Sequence, residues 1–367
     1  MPPSPIASVI VPCFNAAGHV AACLGSILGN SFPDFEIVAV DDASTDGTVD
    51  ILADLAARDP RITILRHETN KGVSAARNTG LAHARGRYVF FVDPDDTVSS
   101  AMLGKCVERL EATRADFVIF PYAVRHGDDA DFEIRKLKDD YDCASNSEIR
   151  VRYLPRIFGY SLDHVRAWNR GAPLFERCEM GSVCRCAYRR DMIERNGIRF
   201  DETLVLNEDA MFNCDVAVCA ASMAALDEPF YFYTIRAGGA MTSQDRGIRM
   251  FGNKLRLLRK RQEIDRKTGG ALADSYAGSC VFSLLEFMHL ARTNAIPCAT
   301  GAKIVSEYAT DATVRQALRR FPLSVRHPLV AIAVALLRAR FAVPMFKAAR
   351  IATKLLPHPK SRYAGLK

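Results

Sequence analysis

The sequence predicts an α/β fold built on a mainly parallel, doubly wound central sheet flanked by helices, and three observations carry that prediction. Short, wholly apolar runs alternate with helical patterns through the first hundred residues. Two of those runs end abruptly in carboxylates, at Asp41-Asp42 and at Asp93-Pro94-Asp95-Asp96. The strand ends supply acids and amides rather than glycine loops: no GxGxxG follows a strand and no GxxxxGK[ST] occurs, which weakens the ordinary dinucleotide and P-loop readings.

Ala7-Ser8-Val9-Ile10-Val11-Pro12 is the first strand, and its proline, lacking a donor, is expected to end it. A helix follows over 17–30, with Val20, Leu24, Ile27 and Leu28 on one face. Phe35-Glu36-Ile37-Val38-Ala39-Val40 is the second strand. Asp42-Ala43-Ser44-Thr45-Asp46-Gly47 then supplies turn and N-cap residues for a helix over 48–58. Ile62-Thr63-Ile64-Leu65 is the third strand, Asn70-Lys71-Gly72 a turn, and 73–84 a helix with Arg77 and Asn78 near its middle. The strand Tyr88-Val89-Phe90-Phe91-Val92 organises the rest. Its β-branched and aromatic side chains call for burial, and Pro94 stops it, so the acids fall just past its carboxyl end. Ligands of open α/β sheets bind there. Carboxylates so close repel one another; a divalent cation, Mg²⁺ or Mn²⁺, relieves that repulsion and binds substrate phosphates. The competing reading is an Asx-type turn that caps a helix near Ser99.

Downstream, one strand is expected over 117–122, a polar surface excursion over 125–146, and no clear period over 147–177. A helix over 188–196 would end at Gly197. Asn207-Glu208-Asp209 precedes a helical run over 210–219, Phe230-Tyr231-Phe232-Tyr233 is a short strand, and 236–242 a loop. Beyond Ser243 the pattern is helical: basic and amphipathic over 249–267, mostly apolar over 271–292. Over 327–356 apolar stretches are interrupted by Arg338, Arg340, Lys347, Arg350 and Lys354. The chain therefore divides into an α/β domain over 1–235 and a helical region over 236–367.

The formal charge of +7 is concentrated toward the C-terminal third, which suits an anionic neighbour. Helices of that kind lie on anionic lipid, pack on the domain, or bury a homodimer interface. No run of 18 apolar residues lacks charge, so no transmembrane helix is expected, and the prolines leading straight into a strand form no signal peptide. The 11 scattered cysteines fit reduced thiols in a cytoplasmic protein, and Cys184, Cys186, Cys214 and Cys219 lack the CxxC pair of a zinc site. No nucleic-acid partner is expected.

With these residues in hand, the chain resembles a family 2 glycosyltransferase of the GT-A fold. The resemblance rests on Ser8-Val9-Ile10-Val11-Pro12-Cys13-Phe14-Asn15, Val40-Asp41-Asp42-Ala43-Ser44-Thr45-Asp46-Gly47-Thr48, Asn70-Lys71-Gly72-Val73-Ser74-Ala75-Ala76-Arg77-Asn78 and Phe91-Val92-Asp93-Pro94-Asp95-Asp96, in the family's order and spacing. A second match runs from Tyr188-Arg189-Arg190-Asp191 through Asn207-Glu208-Asp209 to Phe230-Tyr231-Phe232-Tyr233. The resemblance implies that Pro12, Phe14 and Asn15 line a nucleotide pocket, that Asp41 or Asp42 bonds uracil or ribose, and that Asn70 and Arg77 contact the base and diphosphate side. Asp95, with Asp93, would hold the metal, and Asp93 would also meet the ribose or donor sugar. Glu208-Asp209 matches the motif of the catalytic base, with Asp209 as the base, and 123–235 would form the acceptor side. Three departures stand out: Val183-Cys184-Arg185-Cys186-Ala187-Tyr188 lacks the family's usual Trp-Asn-Lys, Ala240 replaces a frequent serine, and Thr234 replaces the histidine of some relatives.

The function so implied is inverting, non-processive transfer of a sugar from a nucleotide-sugar, a UDP-sugar foremost, to a hydroxyl of a glycan or lipid-linked acceptor. Capsule, lipopolysaccharide and similar surface polysaccharides are such products, and the cytoplasmic face of the membrane is where lipid-linked acceptors sit. The chemistry agrees: the attacking hydroxyl must lose a proton to a carboxylate, and a metal stabilises the departing diphosphate. Two alternatives stay open. A nucleotidyltransferase would want a glycine- and lysine-rich first loop, which Pro12-Cys13-Phe14-Asn15 does not provide. A nucleotide-sugar-binding scaffold would need no base, and acids at a helix N-terminus are also simply stabilising.

Overall fold

The structure, a computed structural model, describes residues 4–169, 179, 181–236, 246–292 and 298–319. The chain forms two compact units, Met1–Leu154 with Glu179–Ala237, and Pro155–Cys178 with Gly238–Lys367. In the first, β1 (Ala7–Cys13), α1 (Val20–Leu28), β2 (Phe35–Asp41), α2 (Thr48–Arg58), β3 (Ile62–Arg66), α3 (Val73–His83) and β4 (Tyr88–Phe91) alternate as the apolar periodicity requires. Then come β5 (Thr97–Val98), α4 (Met102–Thr113), β6 (Phe117–Ile119), β7 (Tyr122–His126), β8 (Glu133–Arg135) and α5 (Asn146–Arg152). After the short helices α6 (Leu154–Phe158) and α7 (Leu162–Asn169), which from Pro155 on fall in the second unit, the first resumes with β9 (Cys186–Arg189), α8 (Arg190–Arg195), α9 (Glu208–Cys219), β10 (Met223–Ala225) and β11 (Tyr231–Ile235).

The main sheet has strand order β10-β6-β9-β4-β1-β2-β3 and is parallel except for β9, which runs antiparallel to both neighbours. A smaller sheet, β5-β11-β7-β8, carries β11 beside the end of β4's loop. β1, β2 and β4 are buried along their whole length, as parallel strands covered on both faces must be. The helix α3 lies so close to β1 that a Cβ on Gly80 would meet Ile10 Cγ2 at 2.3 Å, which only glycine avoids.

Four expectations change. The first strand runs through Pro12 to Cys13. Ile10 O accepts from Val92 and Cys13 O from Asp42, so by alternation the missing Pro12 N–H faces the side where β4 has ended, and no ladder bond is lost. The single strand over 117–122 is two, β6 and β7, in different sheets, separated by Phe120-Pro121. Tyr188 and Arg189 belong to β9 rather than a helix, because their side of the chain is claimed by ladders with β4 and β6. Gly197, with φ +60°, does end the helix that follows. The excursion over 125–146 contains β8 and buries Tyr141 and Cys143.

In the second unit α10 (Arg246–Lys267), α11 (Ala273–Arg292), α12 (Cys298–Thr310) and α13 (Ala312–Arg319) are helices, and α7 packs on α11. α10 is amphipathic: Leu257, Leu258 and Ile264 are buried, while Arg256, Arg259, Arg266 and Lys267 are exposed. Ala240 and the segment 327–356 lie outside the described residues. No described helix is long and apolar enough to cross a membrane.

Candidate active site

The loops at the carboxyl ends of β1, β2 and β4 are tied together before any ligand is considered. Asp42 accepts from His67 Nδ1 at 2.6 Å, Lys71 N at 2.9 Å and Gly72 N at 2.7 Å. Those bonds shape the turn, with Gly72 at φ +89°, that starts α3. Asp41, fully buried, accepts long bonds from Ser44 N and pairs with Arg66 at 3.3 Å. Asn15 sits at φ +48°; its N–H donates to Ser44 Oγ and its Oδ1 accepts from Thr45 N, both at 2.9 Å. Phe14 projects from the same loop 48% exposed, and Pro12 is buried beneath it. Asn70 is exposed in the turn before α3.

Arg77 is the hub. It leaves the first turns of α3 and is almost wholly buried, its side chain 3% exposed. Its Nη1 donates to Asp209 Oδ1 at 2.5 Å and to Glu208 Oε1 at 3.3 Å, and its Nη2 to Asp93 Oδ1 at 2.8 Å. The guanidinium lies 5.3 Å over the Phe200 ring, and its Nε has no partner. Asp209 Oδ2 also accepts a long bond from Val183 N. Burial alone would loosen the guanidinium's proton, but Asp209 and Asp93 outweigh it and keep Arg77 charged. Burial and the Asp209 charge push Glu208 up to about 7, and burial likewise raises Asp209 against the pull of Arg77.

The β4 loop adds two more acids. Asp96 is buried, accepts from Tyr231 Oη at 2.6 Å and from Thr234 N at 3.2 Å, and rises to about 8 through burial and the charges of Asp93 and Asp95. The Tyr231 hydroxyl also meets the Asp93 N–H at 3.2 Å. Asp95 stands at the open rim; desolvation and the Asp93 charge raise its carboxyl, and its backbone carbonyl accepts from Arg236 at 2.9 Å. Cys184, where the sequence departs from the expected motif, is buried, and burial plus the Asp93 charge hold it as a thiol.

One cluster therefore unites Arg77, Asp93, Glu208 and Asp209, with Asp95 on the same loop as Asp93. Asp42 and Asn15 spend their side chains on internal ties, and Phe14 and Asn70 are exposed in loops at the strand ends. Reading the sequence missed Tyr231, Asp96, Arg236 and the Phe200 shelf. The aromatic strand and the third acid after Pro94 were visible signals for two of these; the distances that join them were not.

A mainly parallel sheet with acids gathered at its carboxyl end, closed by a small second sheet, is the GT-A type of α/β domain. The chain matches the structure of *S. aureus* TarS residues 1–349 with a TM-score of 0.61 at 19% identity, over 96% of this chain and 93% of that one. TarS has also been solved in complex with UDP-GlcNAc. Residues 8–173 match the profile described as Glycosyl transferase family 2. It is 34% identical over 229 residues to the uncharacterized glycosyltransferase EpsJ of *Bacillus subtilis*, covering 62% of this chain and 61% of that protein. It is 29% identical over 234 residues to the succinoglycan biosynthesis protein ExoO of *Rhizobium meliloti*, covering 64% and 62%. The chain thus spans less than two thirds of these relatives' length.

Proposed function

We propose that the protein is an inverting, non-processive glycosyltransferase that moves a sugar from a nucleotide-sugar, most simply a UDP-sugar, to a hydroxyl of a surface-polysaccharide acceptor. One observation carries the reading: Asp209 at the start of α9 and Asp93 after β4 face a single guanidinium, so a base and a donor-side acid share one site. Asp209, a carboxylate beside Arg77, takes the proton as the acceptor oxygen bonds the anomeric carbon and the bond to the diphosphate breaks on the opposite side. Phe14 offers an exposed ring for stacking a base, and Asp41 or Asp42, at the end of β2 beside it, would bond the base or ribose.

A divalent cation fits the donor set. Asp93 and Asp95 supply hard carboxylate oxygens, with burial and the Asp93 charge raising Asp95, and among the described residues no third protein ligand joins them. Mg²⁺ and Mn²⁺ are bound in that way, by one or two carboxylates with substrate phosphates and water completing the shell. When bound, the cation would neutralise charge on the departing diphosphate. The acceptor, glycan or lipid-linked, would meet the 123–235 side, and the exposed arginines of α10 suit peripheral contact with an anionic membrane from the cytoplasm.

The test is UDP release from a panel of UDP-sugars with Mn²⁺, with and without EDTA. Turnover of one donor that stops with EDTA supports the reading; UDP binding without turnover on any donor or acceptor favours the scaffold.

A further inference from the structure

The geometry points to Arg77 as a positioning residue for the general base rather than a contact to the nucleotide. The inference rests on the glycosyltransferase reading and concerns how its base is held. Both terminal nitrogens of Arg77 are spent on carboxylates from two distant parts of the chain, Asp93 and Glu208-Asp209. The side chain is 3% exposed, so it offers a ligand almost no surface.

What lies beneath the guanidinium fixes it further. The Phe200 ring sits 5.3 Å below, and Phe200 stacks on Phe212 with centroids 4.1 Å apart. Phe212 belongs to α9, the helix whose first turn carries Asp209. Asn78, next to Arg77 in α3, grips the Phe200 backbone from both sides, donating to its carbonyl and accepting from its N–H, each at 2.9 Å. Arg77 and its shelf are thus locked to α3, and the base is locked to the shelf. A planar guanidinium can hold two carboxylates in fixed directions at once; an ammonium is a point charge and cannot. Arg77 opposes the burial that raises the Asp209 carboxyl, aims it, and ties it to Asp93, which reads the donor side.

The experiment uses the full chain. Parent, Arg77→Lys, Phe200→Leu, Asp209→Asn and Arg77→Lys/Asp209→Asn are compared by transfer kinetics on the donor the parent accepts, by UDP calorimetry and by thermal melting. In Arg77→Lys, kcat is expected to fall about 30-fold or more while donor KM and UDP affinity stay within about threefold, the split expected of a group acting mainly at the transition state. The double variant is expected to be no slower than Asp209→Asn, because both changes act on one group. A tenfold loss of UDP affinity with kcat kept would make Arg77 a nucleotide contact and overturn the inference. So would turnover within about threefold of the parent. Should Arg77→Lys fail to melt cooperatively, Phe200→Leu, which leaves the guanidinium but removes its shelf, must show the same split, and an unchanged kcat there overturns the inference. A parent that binds UDP yet never transfers overturns the functional reading itself, a result distinct from the others.

Discussion

Among the described residues of the first unit, two arginines are buried beside carboxylates, and they are built for opposite ends. Arg185 and Glu179 are each 2% exposed and pair at 3.0 Å. Every polar edge of Glu179 is used: Oε1 accepts from Lys138 N and from Tyr141 Oη, Oε2 from Arg185, whose Nε donates to Phe120 O. That cluster balances one charge against one and closes on itself. Arg77 instead faces three carboxylates, with Asp95 and Asp96 just beyond, and burial together with the surplus negative charge pushes Glu208 and Asp96 to about 7 and 8. A pair balanced one against one avoids the cost of an unpaired buried charge. An unbalanced one is held ready for a cation or a proton. Charge balance, rather than burial, tells the structural cluster from the functional one.

The sharpest way to break this contrast is at Asp209. Asp209→Asn should lower transfer by about 10²–10⁴-fold while UDP affinity, read by calorimetry, stays unchanged. Loss of UDP binding alongside turnover would show that the cluster is only a binding site. Next, Glu179→Ala strands the Arg185 charge and should lower stability by about 3–5 kcal/mol in urea melts, with turnover per folded molecule unaffected. Arg185→Met/Glu179→Met, removing both charges, should recover most of that loss. A smaller effect runs the other way at the active site. Glu208 holds a proton in the fold up to about pH 7 that the unfolded chain releases near 4.5, so the fold loses stability as pH rises between those values. Glu208→Gln should therefore stabilise the ligand-free protein by about 1–3 kcal/mol at pH 8 and by nothing near pH 4. A variant destabilised at pH 8 would mean that its contact with Arg77 outweighs its burial. Least in size, Asp95→Asn should raise the Mn²⁺ concentration for half-maximal turnover about tenfold; turnover indifferent to metal would remove the cation from the site.

Much of the first hundred residues was legible because the signals are local. Apolar runs such as Val9-Ile10-Val11 and Phe90-Phe91-Val92 mark strands, and acids just after them mark the sheet's carboxyl end. What failed depends on partners far away. Tyr188-Arg189 passes for the start of a helix until β4 and β6 claim it from both sides. Phe117 to Tyr122 looks like one strand because nothing in six residues says that its halves join separate sheets. The bonds of Arg77 reach residues 16, 131 and 132 positions away, distances that no spacing rule spans. Nor does the sequence say what holds Asp42: its three donors, one just past β3 and two from the turn before α3, are brought to it only by the folded chain.

The reversed direction of β9 has a consequence for how such a protein could diversify. Because β9 runs against β6, Ile119 pairs with Cys186, and the chain between them leaves and re-enters the sheet at neighbouring points. Phe120 N donates to Arg185 O, and the Arg185 side chain returns a bond to Phe120 O, so a clasp of two residues closes the whole excursion. Within that excursion the exposed turn between β7 and β8 can change length at little entropic cost, since each doubling of a loop costs only about 0.6 kcal/mol. A graft confined to that turn would keep the clasp and the pairing of β7 with β11, leaving Arg77 and the acids at the ends of β2 and β4 untouched.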